Sequence, residues 1–421
     1  VPIFDNQVIS GKFTLLVHWI YKVDLPMYKA TQQQTKQHNK RLVLKTIYSE
    51  AAISRAMLAR ATRLTRTTVS NIVAELLEEG LIAEIGPGPS LGGKRPILLS
   101  LVDNARSLIG IDLGNSEFHG GIFDLRGRML HSISLPVNDC QGEGAVQLVY
   151  DLIDQLIASS HSIIGGIGIG TPGVTDAQRG VVYEAVNLGW HNLPLKELLK
   201  ARYRFPIHIA NDSQVAVLGE YIFGQNQEMP NLVVVKVGRG ISAGVVLDGR
   251  LYIGERSGQG EIGHVMVVEN GLLCRCGHRG CLETVAGTRA LIEQAQTIAR
   301  NNSDSLLHQF ANTVEAINTD VIYQAFQAGD EAMREIVAQV GHYLGIAVAH
   351  LVALLNIQHI VIGGRLARFG AWLVTSVQQE MSQRVLPKIA EETEITLSEL
   401  GDDIVIQGGA ALLLSQELEL V

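Results

Sequence analysis

Ile109-Gly110-Ile111-Asp112-Leu113-Gly114-Asn115-Ser116 reads as a β-strand running into a glycine turn. A second strand, Gly120-Gly121-Ile122-Phe123-Asp124, and the tight turn Leu125-Arg126-Gly127-Arg128 follow it. More than a hundred residues later, Val233-Val234-Val235-Lys236-Val237-Gly238-Arg239-Gly240 repeats the pattern. Its second strand is Gly244-Val245-Val246-Leu247 and its turn is Asp248-Gly249-Arg250. A strand–glycine–strand–turn unit that recurs in this way predicts two similar lobes. Between the copies lie Gly166-Ile167-Gly168-Ile169-Gly170-Thr171-Pro172-Gly173 and a helix opened by Asn211-Asp212. Gly363-Gly364 and Gly408-Gly409 read as further glycine turns. The class is α/β, and a two-lobed body of this kind places its ligand in the cleft.

Upstream of this body the texture and the charge both change. The 421-residue chain carries 34 Lys+Arg against 42 Asp+Glu, a net of −8. Yet residues 35–100 hold ten basic residues and only five acidic ones. A small basic module joined to an acidic body is a signal for a polyanionic partner. Leu42, Leu44, Ile47 and Tyr48 mark one amphipathic helix. Ser54 caps a second, and Thr65 caps a third that runs to about Gly80. In the third helix Val69, Ile72, Val73, Leu76 and Leu77 follow the helical spacing of a buried face. Thr67, Thr68, Ser70 and Asn71 lie on its other face, near the N-terminal end where a recognition helix meets base edges. Leu81–Ile85 and Pro96–Leu101 read as the strands of a wing, with Lys94 and Arg95 at its base as phosphate or minor-groove contacts. Thr65, Arg66, Thr67, Thr68, Ser70, Asn71, Lys94 and Arg95 are therefore the candidate DNA-binding residues.

Hydrophobic residues make up 47% of the chain and charged residues 18%, a composition that excludes a disordered chain. No apolar run approaches the ~18 residues of a spanning helix, so no membrane span is expected. Three of the four cysteines, Cys274, Cys276 and Cys281, fall within eight residues, which excludes a disulfide framework and points to a metal in a reducing, cytoplasmic setting. With His264 they form a closed tetrahedral set, and soft sulfur selects structural Zn2+ over magnesium or calcium. Cys140 lies apart and reads as a buried thiol. In Gly260-Glu261-Ile262-Gly263-His264 a metal-held imidazole stands beside a carboxylate, and Glu283 and Asn211-Asp212 add polar groups to the same cleft. Such a set suits a neutral, polyhydroxylated ligand.

Together these residues resemble the ROK family of repressors and sugar kinases, and in particular its winged-helix repressor branch. The resemblance covers about residues 35–421 and rests on Gly260–His264, Cys274–Glu283, Asn211-Asp212, Gly170-Thr171-Pro172-Gly173 and the wing's Gly92-Gly93-Lys94-Arg95-Pro96. It implies an N-terminal winged helix-turn-helix followed by a two-lobed actin-like sugar kinase fold. It also implies that Asn211, Asp212, Glu261, His264 and Glu283, with Gly173 and Asn187 beside them, bind a monosaccharide. It implies a homodimer or homotetramer on operator DNA. In the kinases of the family the counterpart of Asp212 is the catalytic base. Here Asn115 and Glu117 in the first glycine turn, and Arg239 in the second, depart from the kinase pattern.

The chain divides on this reading into an arm (1–34), a winged helix-turn-helix (35–101), a first lobe (102–219 with 405–421) and a second lobe carrying the metal site (220–404). The function expected is a sugar-responsive transcriptional regulator, a repressor of carbohydrate uptake or catabolism genes, and not an enzyme. The alternatives are an ATP-dependent sugar kinase with a DNA-binding arm, in which Asp212 is catalytic, and a regulator controlled by a protein partner.

Overall fold

A computed structural model describes residues 31–89, 95–114, 116–138, 140–225, 229–255 and 258–418. Most of the N-terminal arm, the tip of the wing with Lys94, and Asn115 lie outside the described residues.

The basic module is a three-helix unit with a small sheet. Helix α1 (Gln32–Ser49) is followed by strand β1 (Ile53–Ser54), α2 (Arg55–Thr62), α3 (Arg66–Glu78), β2 (Ile82–Pro87) and β3 (Ile97–Leu101). The expected caps are in place: the Ser54 hydroxyl accepts from the Met57 amide, and the Thr65 hydroxyl from that of Thr68. Between α2 and α3 the chain turns through Arg63 in the left-handed region, at φ 56°. Val43, Ile47, Leu58, Val69, Ile72, Val73 and Leu76 close the core. Strand β1 was not legible as a strand, since it is two residues long and exists through its antiparallel pairing with Leu98 and Leu99 of β3. Strand β2 runs past the expected Ile85 to Pro87, with an irregularity in register between Glu84 and Gly86.

The body contains two five-stranded sheets of matching topology. The first comprises β4 (Ser107–Leu113), β5 (Glu117–Phe123), β6 (Met129–Pro136), β7 (Ile164–Thr171) and, after a three-stranded sheet of β8 (Val174–Asp176), β9 (Val181–Ala185) and β10 (Trp190–Leu193), β11 (Ile207–Asn211). Its order is β11-β7-β4-β5-β6. The second comprises β12 (Leu232–Val237), β13 (Ile241–Leu247), β14 (Arg250–Leu251), β15 (His359–Gly363) and β16 (Glu394–Leu397), in the order β14-β13-β12-β15-β16. In each sheet the first strand pairs antiparallel with the second and parallel with the fourth. Asp112 lies opposite Gly170 and Lys236 opposite Gly363, so these two residues hold equivalent positions.

Two helices cross between the sheets. Helix Asp212–Phe223 follows the last strand of the first sheet but packs on β12 and β13 of the second. Helix Ile404–Leu418 follows the last strand of the second sheet and packs on β4 and β7 of the first. The boundary placed at residues 219/220 falls inside the former helix. Glycines let the layers approach closely. A Cβ on Gly168 would stand 2.0 Å from the Gly409 carbonyl oxygen, and one on Gly408 would stand 1.9 Å from that of Val215. Gly408-Gly409 is therefore not a ligand turn: it lies within a helix, and its missing side chains serve backbone contact. Gly364, at φ 81°, does form a turn beyond β15.

One further expectation needs correction. Helix Glu331–Leu355 is long and apolar enough by composition to cross a membrane. Its apolarity has a local cause, because Val337, Val340, Leu344, Val348 and Val352 are buried in the second lobe's core. Cys140 is half-buried against the core of the first lobe.

Candidate functional site

Three groups of residues carry chemistry: the exposed end of α3, the space between the lobes, and the cysteine loop beside it. In the winged helix, Lys36, Lys40 and Arg55 are engaged by Glu75, Glu79 and Glu84. The acidic residues of α3 thus lie at its C-terminal half, and its first turn holds none. Arg60, Arg63 and Arg66 gather at the other end, with Thr65, Arg66, Thr67, Ser70 and Asn71 exposed. Thr68 is half-buried, and its hydroxyl meets that of Thr65 at 2.9 Å, so these two threonines are partly occupied in capping. Arg95 is exposed on the wing. Arg63, in the turn before the cap of α3, is exposed as well.

Between the lobes, Asn211 closes β11 and caps helix Asp212–Phe223 in a capping box with Gln214. Its Oδ1 accepts from the Ser213 amide at 2.9 Å and from the Ser213 hydroxyl at 2.5 Å, while its Nδ2 donates to the Gly173 carbonyl at 2.8 Å. Asn211 thus joins Gly173 to the helix start and fixes Asp212, the first helical residue. Gly173 sits at φ 80°, and a Cβ there would lie 2.0 Å from the Glu184 carbonyl, so only glycine fits.

Asp212 accepts from the Lys236 ammonium at 2.5 Å, and both side chains are 15% exposed. Burial works against charge on Lys236, but the Asp212 and Asp112 carboxylates outweigh it and hold the ammonium above the ordinary lysine range. Asp112 is pushed up to about 6 by burial, reinforced by the Asp212 charge and opposed by Lys236. Its Oδ1 is out of solvent contact and has no hydrogen-bond partner among the described residues. Burial, and then the Asp212 charge, raise Glu261. Burial raises Glu283, opposed by His264, the Ile241 amide, Arg275 and Arg239. The Asp212 and Glu283 charges thus act on Glu261, and the His264 charge acts on both Glu261 and Glu283. Asn187 is tied to Arg275 of the cysteine loop by a side-chain hydrogen bond.

In that loop the ligand atoms of His264, Cys274, Cys276 and Cys281 all lie within 4.8 Å of one another, a spacing one metal ion can bridge. His264 Nδ1 is 3.6 Å from Cys274 Sγ, and Cys276 and Cys281 sulfurs are 3.6 Å apart. His264 Nε2 turns the other way, 3.8 Å from Glu261 Oε2. Gly277 and Gly280, at φ 88° and 73°, make the bends the loop needs.

The winged helix and the body are in contact. Arg126, in the first lobe's β5–β6 turn, donates to the Tyr48 carbonyl at 2.6 Å and to Asp103 at 3.2 Å. Arg106 donates to the Glu79 carbonyl at 3.0 Å. The equivalent turn of the second lobe, Asp248-Gly249, borders a cavity of about 540 Å³ that is also lined by Lys45 of α1, Leu218 and Leu412.

The ROK family model matches residues 108–416, and a winged helix-turn-helix DNA-binding model matches residues 36–83. The xylose repressor of Caldicellulosiruptor bescii is 32% identical over 388 residues, 91% of this chain and 97% of that protein. A solved ROK family transcriptional regulator, a homologue of the E. coli MLC protein, superposes with a TM-score of 0.76 at 27% identity, covering 91% of this chain and 99% of that one. A ROK family glucokinase from Streptomyces griseus, solved with glucose and AMPPNP, superposes with a TM-score of 0.68 at 26% identity, covering 73% of this chain and 98% of that one. The xylose repressor and the solved regulator each match this chain over 91% of its length, in keeping with a regulator and not an enzyme. This chain belongs to the ROK family.

Proposed function

We propose that the protein is a cytoplasmic, sugar-responsive repressor of carbohydrate uptake or catabolism genes. It binds a palindromic operator as a homodimer or homotetramer and a monosaccharide between its lobes. The observation that carries this reading is that His264, set in the cysteine loop, faces Glu261 at 3.8 Å, with the Asp212 and Glu283 charges acting on Glu261, in a chain that also carries a winged helix. Carboxylates that accept and an imidazole that donates match the alternating needs of sugar hydroxyls. The glucose-bound glucokinase supports a monosaccharide as the ligand class.

His264, Cys274, Cys276 and Cys281 fit Zn2+, being three thiolates and an imidazole within bridging distance. The ion would stiffen the loop and set the ring of His264, leaving Nε2 to face the cleft next to Glu261. Four protein ligands leave no open position, so its role is structural. The loop in turn holds Asn187 through Arg275.

A ligand can alter DNA affinity only by favouring one arrangement of the lobes over another. Here each lobe offers a turn to α1. The first is bonded through Arg126, and the second faces α1 across a cavity, so a change in lobe closure changes what α1 rests on. The test is a thermal-shift screen of monosaccharides with metal analysis of the untreated protein. A stabilising sugar and about one equivalent of zinc are expected. No response to any sugar, or no zinc, overturns the corresponding part.

A further inference from the structure

Three elements from different parts of the body meet at one guanidinium. Glu117 and His119 stand on one face of β5 in the first sheet, two residues apart on a strand that is paired on both sides. Arg365 opens the short 3-10 helix Arg365–Phe369 of the second lobe, directly after the turn at Gly364. That helix is fixed to its own lobe. Leu366, Ala367 and Phe369 are buried, and a Cβ on Gly364 would stand 2.9 Å from the Val237 carbonyl oxygen. Asp402 and Asp403 lie on the 3-10 helix Gly401–Asp403, the last step of the link from β16 into the crossing helix Ile404–Leu418. Arg365 Nη2 is 3.4 Å from Glu117 Oε1, and its Nε is 3.5 Å from Asp402 Oδ2. His119 Nδ1 lies 3.6 Å from Asp403 Oδ1, a second contact between the first lobe and the link. Ion pairs as exposed as these add little to folding. At a joint between two packed bodies they bias an equilibrium between arrangements, where a factor of a few is enough to matter.

We propose that Arg365, bonded to Glu117 of the first lobe and to Asp402 of the link, is a latch that favours this arrangement of the lobes over one in which they part. Glu117 is the catch, because its contact is lost when β5 and the Arg365–Phe369 helix separate. Asp402 holds the guanidinium where the contact can be remade. A ligand that prefers another arrangement works against the latch, and its affinity falls by the factor the latch supplies. That last step rests on the lobe movement proposed above; the latch itself does not.

The test is amide hydrogen exchange of the full-length, zinc-loaded protein without sugar, read by mass spectrometry over residues 365–370 and 398–403. Glu117→Gln lies in neither segment, yet exchange in both is expected to quicken about two- to fivefold, the factor one exposed ion pair supplies. Arg365→Gln is expected to do at least as much, and the double variant no more than Arg365→Gln alone. Arg365→Glu sets like charges together and is expected to quicken exchange about tenfold, and adding Glu117→Arg is expected to restore protection. Raising NaCl from about 50 to about 500 mM is expected to quicken exchange in wild type and to have less effect in Arg365→Gln. Unchanged exchange in Glu117→Gln overturns the proposal, as do additive effects of the two glutamine substitutions. The side chains replaced are partly exposed, so the variants are expected to fold. No sugar enters the measurement, so a failed sugar screen leaves this outcome readable.

Discussion

The guanidinium of Arg126 donates to the main-chain carbonyl of Tyr48 at 2.6 Å and lies 4.7 Å from the centre of that residue's ring. One side chain of the first lobe thus satisfies the exposed C-terminal end of α1 and stacks on its last aromatic residue. Asp103 orients it, and also receives Arg128 at 2.6 Å. This bond joins the winged helix to the body.

Arg126→Ala is expected to loosen that joint. The lost hydrogen bonds and cation–π contact are worth about 1–2 kcal/mol of stability. The more telling effect is on coupling. Sugar affinity stays near wild type, while the change that sugar produces in DNA affinity shrinks. Paired sugar and DNA titrations on the variant check this, and an undiminished response shows that the signal takes another route.

Asp112 gives a pH signature. Its carboxyl is raised from 3.8 to about 6 in the fold, mainly by burial. Protons are therefore bound more tightly by the folded than by the unfolded chain between these values. The contribution to stability is complete below the unfolded value and is lost as pH rises through about 6, an effect on the order of 2–3 kcal/mol. Asp112→Asn is expected to flatten this part of the profile and to be more stable than wild type at pH 8. Urea unfolding at pH 5 and pH 8 measures it, and identical slopes for the two proteins contradict the assignment.

On the proposed reading, DNA recognition falls to the exposed end of α3. Arg66→Ala is expected to weaken binding to all sequences and to lower the salt slope by about one. Asn71→Ala is expected to cost about 1–3 kcal/mol on the preferred site and to relax choice at one base position. Binding isotherms on selected and scrambled DNA separate the two effects. Unchanged affinity in both variants removes α3 from the interface.

Much of this was written locally in the chain. Ser54 and Thr65 announce helix starts because a cap acts over three residues, and the two strand–glycine–strand units announce the paired sheets. What could not be read depends on partners distant in sequence. Strand β1 exists only through β3. Gly408 and Gly409 read as a turn, but they lie within a helix, where the groups that approach them are helix and strand backbone. Asn211 caps the crossing helix, and much of its amide is spent on Ser213 and Gly173, partners that only the fold brings together. Lys236 looked like an ordinary strand residue, because its bond to Asp212 arises only when the second sheet meets the crossing helix.

The central claim is that filling the cleft changes how the winged helices hold DNA. Its most direct test is the affinity of the full-length, zinc-loaded protein for DNA fragments that it selects itself, measured by fluorescence anisotropy with and without each monosaccharide that stabilises it. The account predicts a change of about 10- to 100-fold in Kd for at least one such sugar. A sugar that demonstrably saturates the cleft while the DNA Kd stays the same contradicts it.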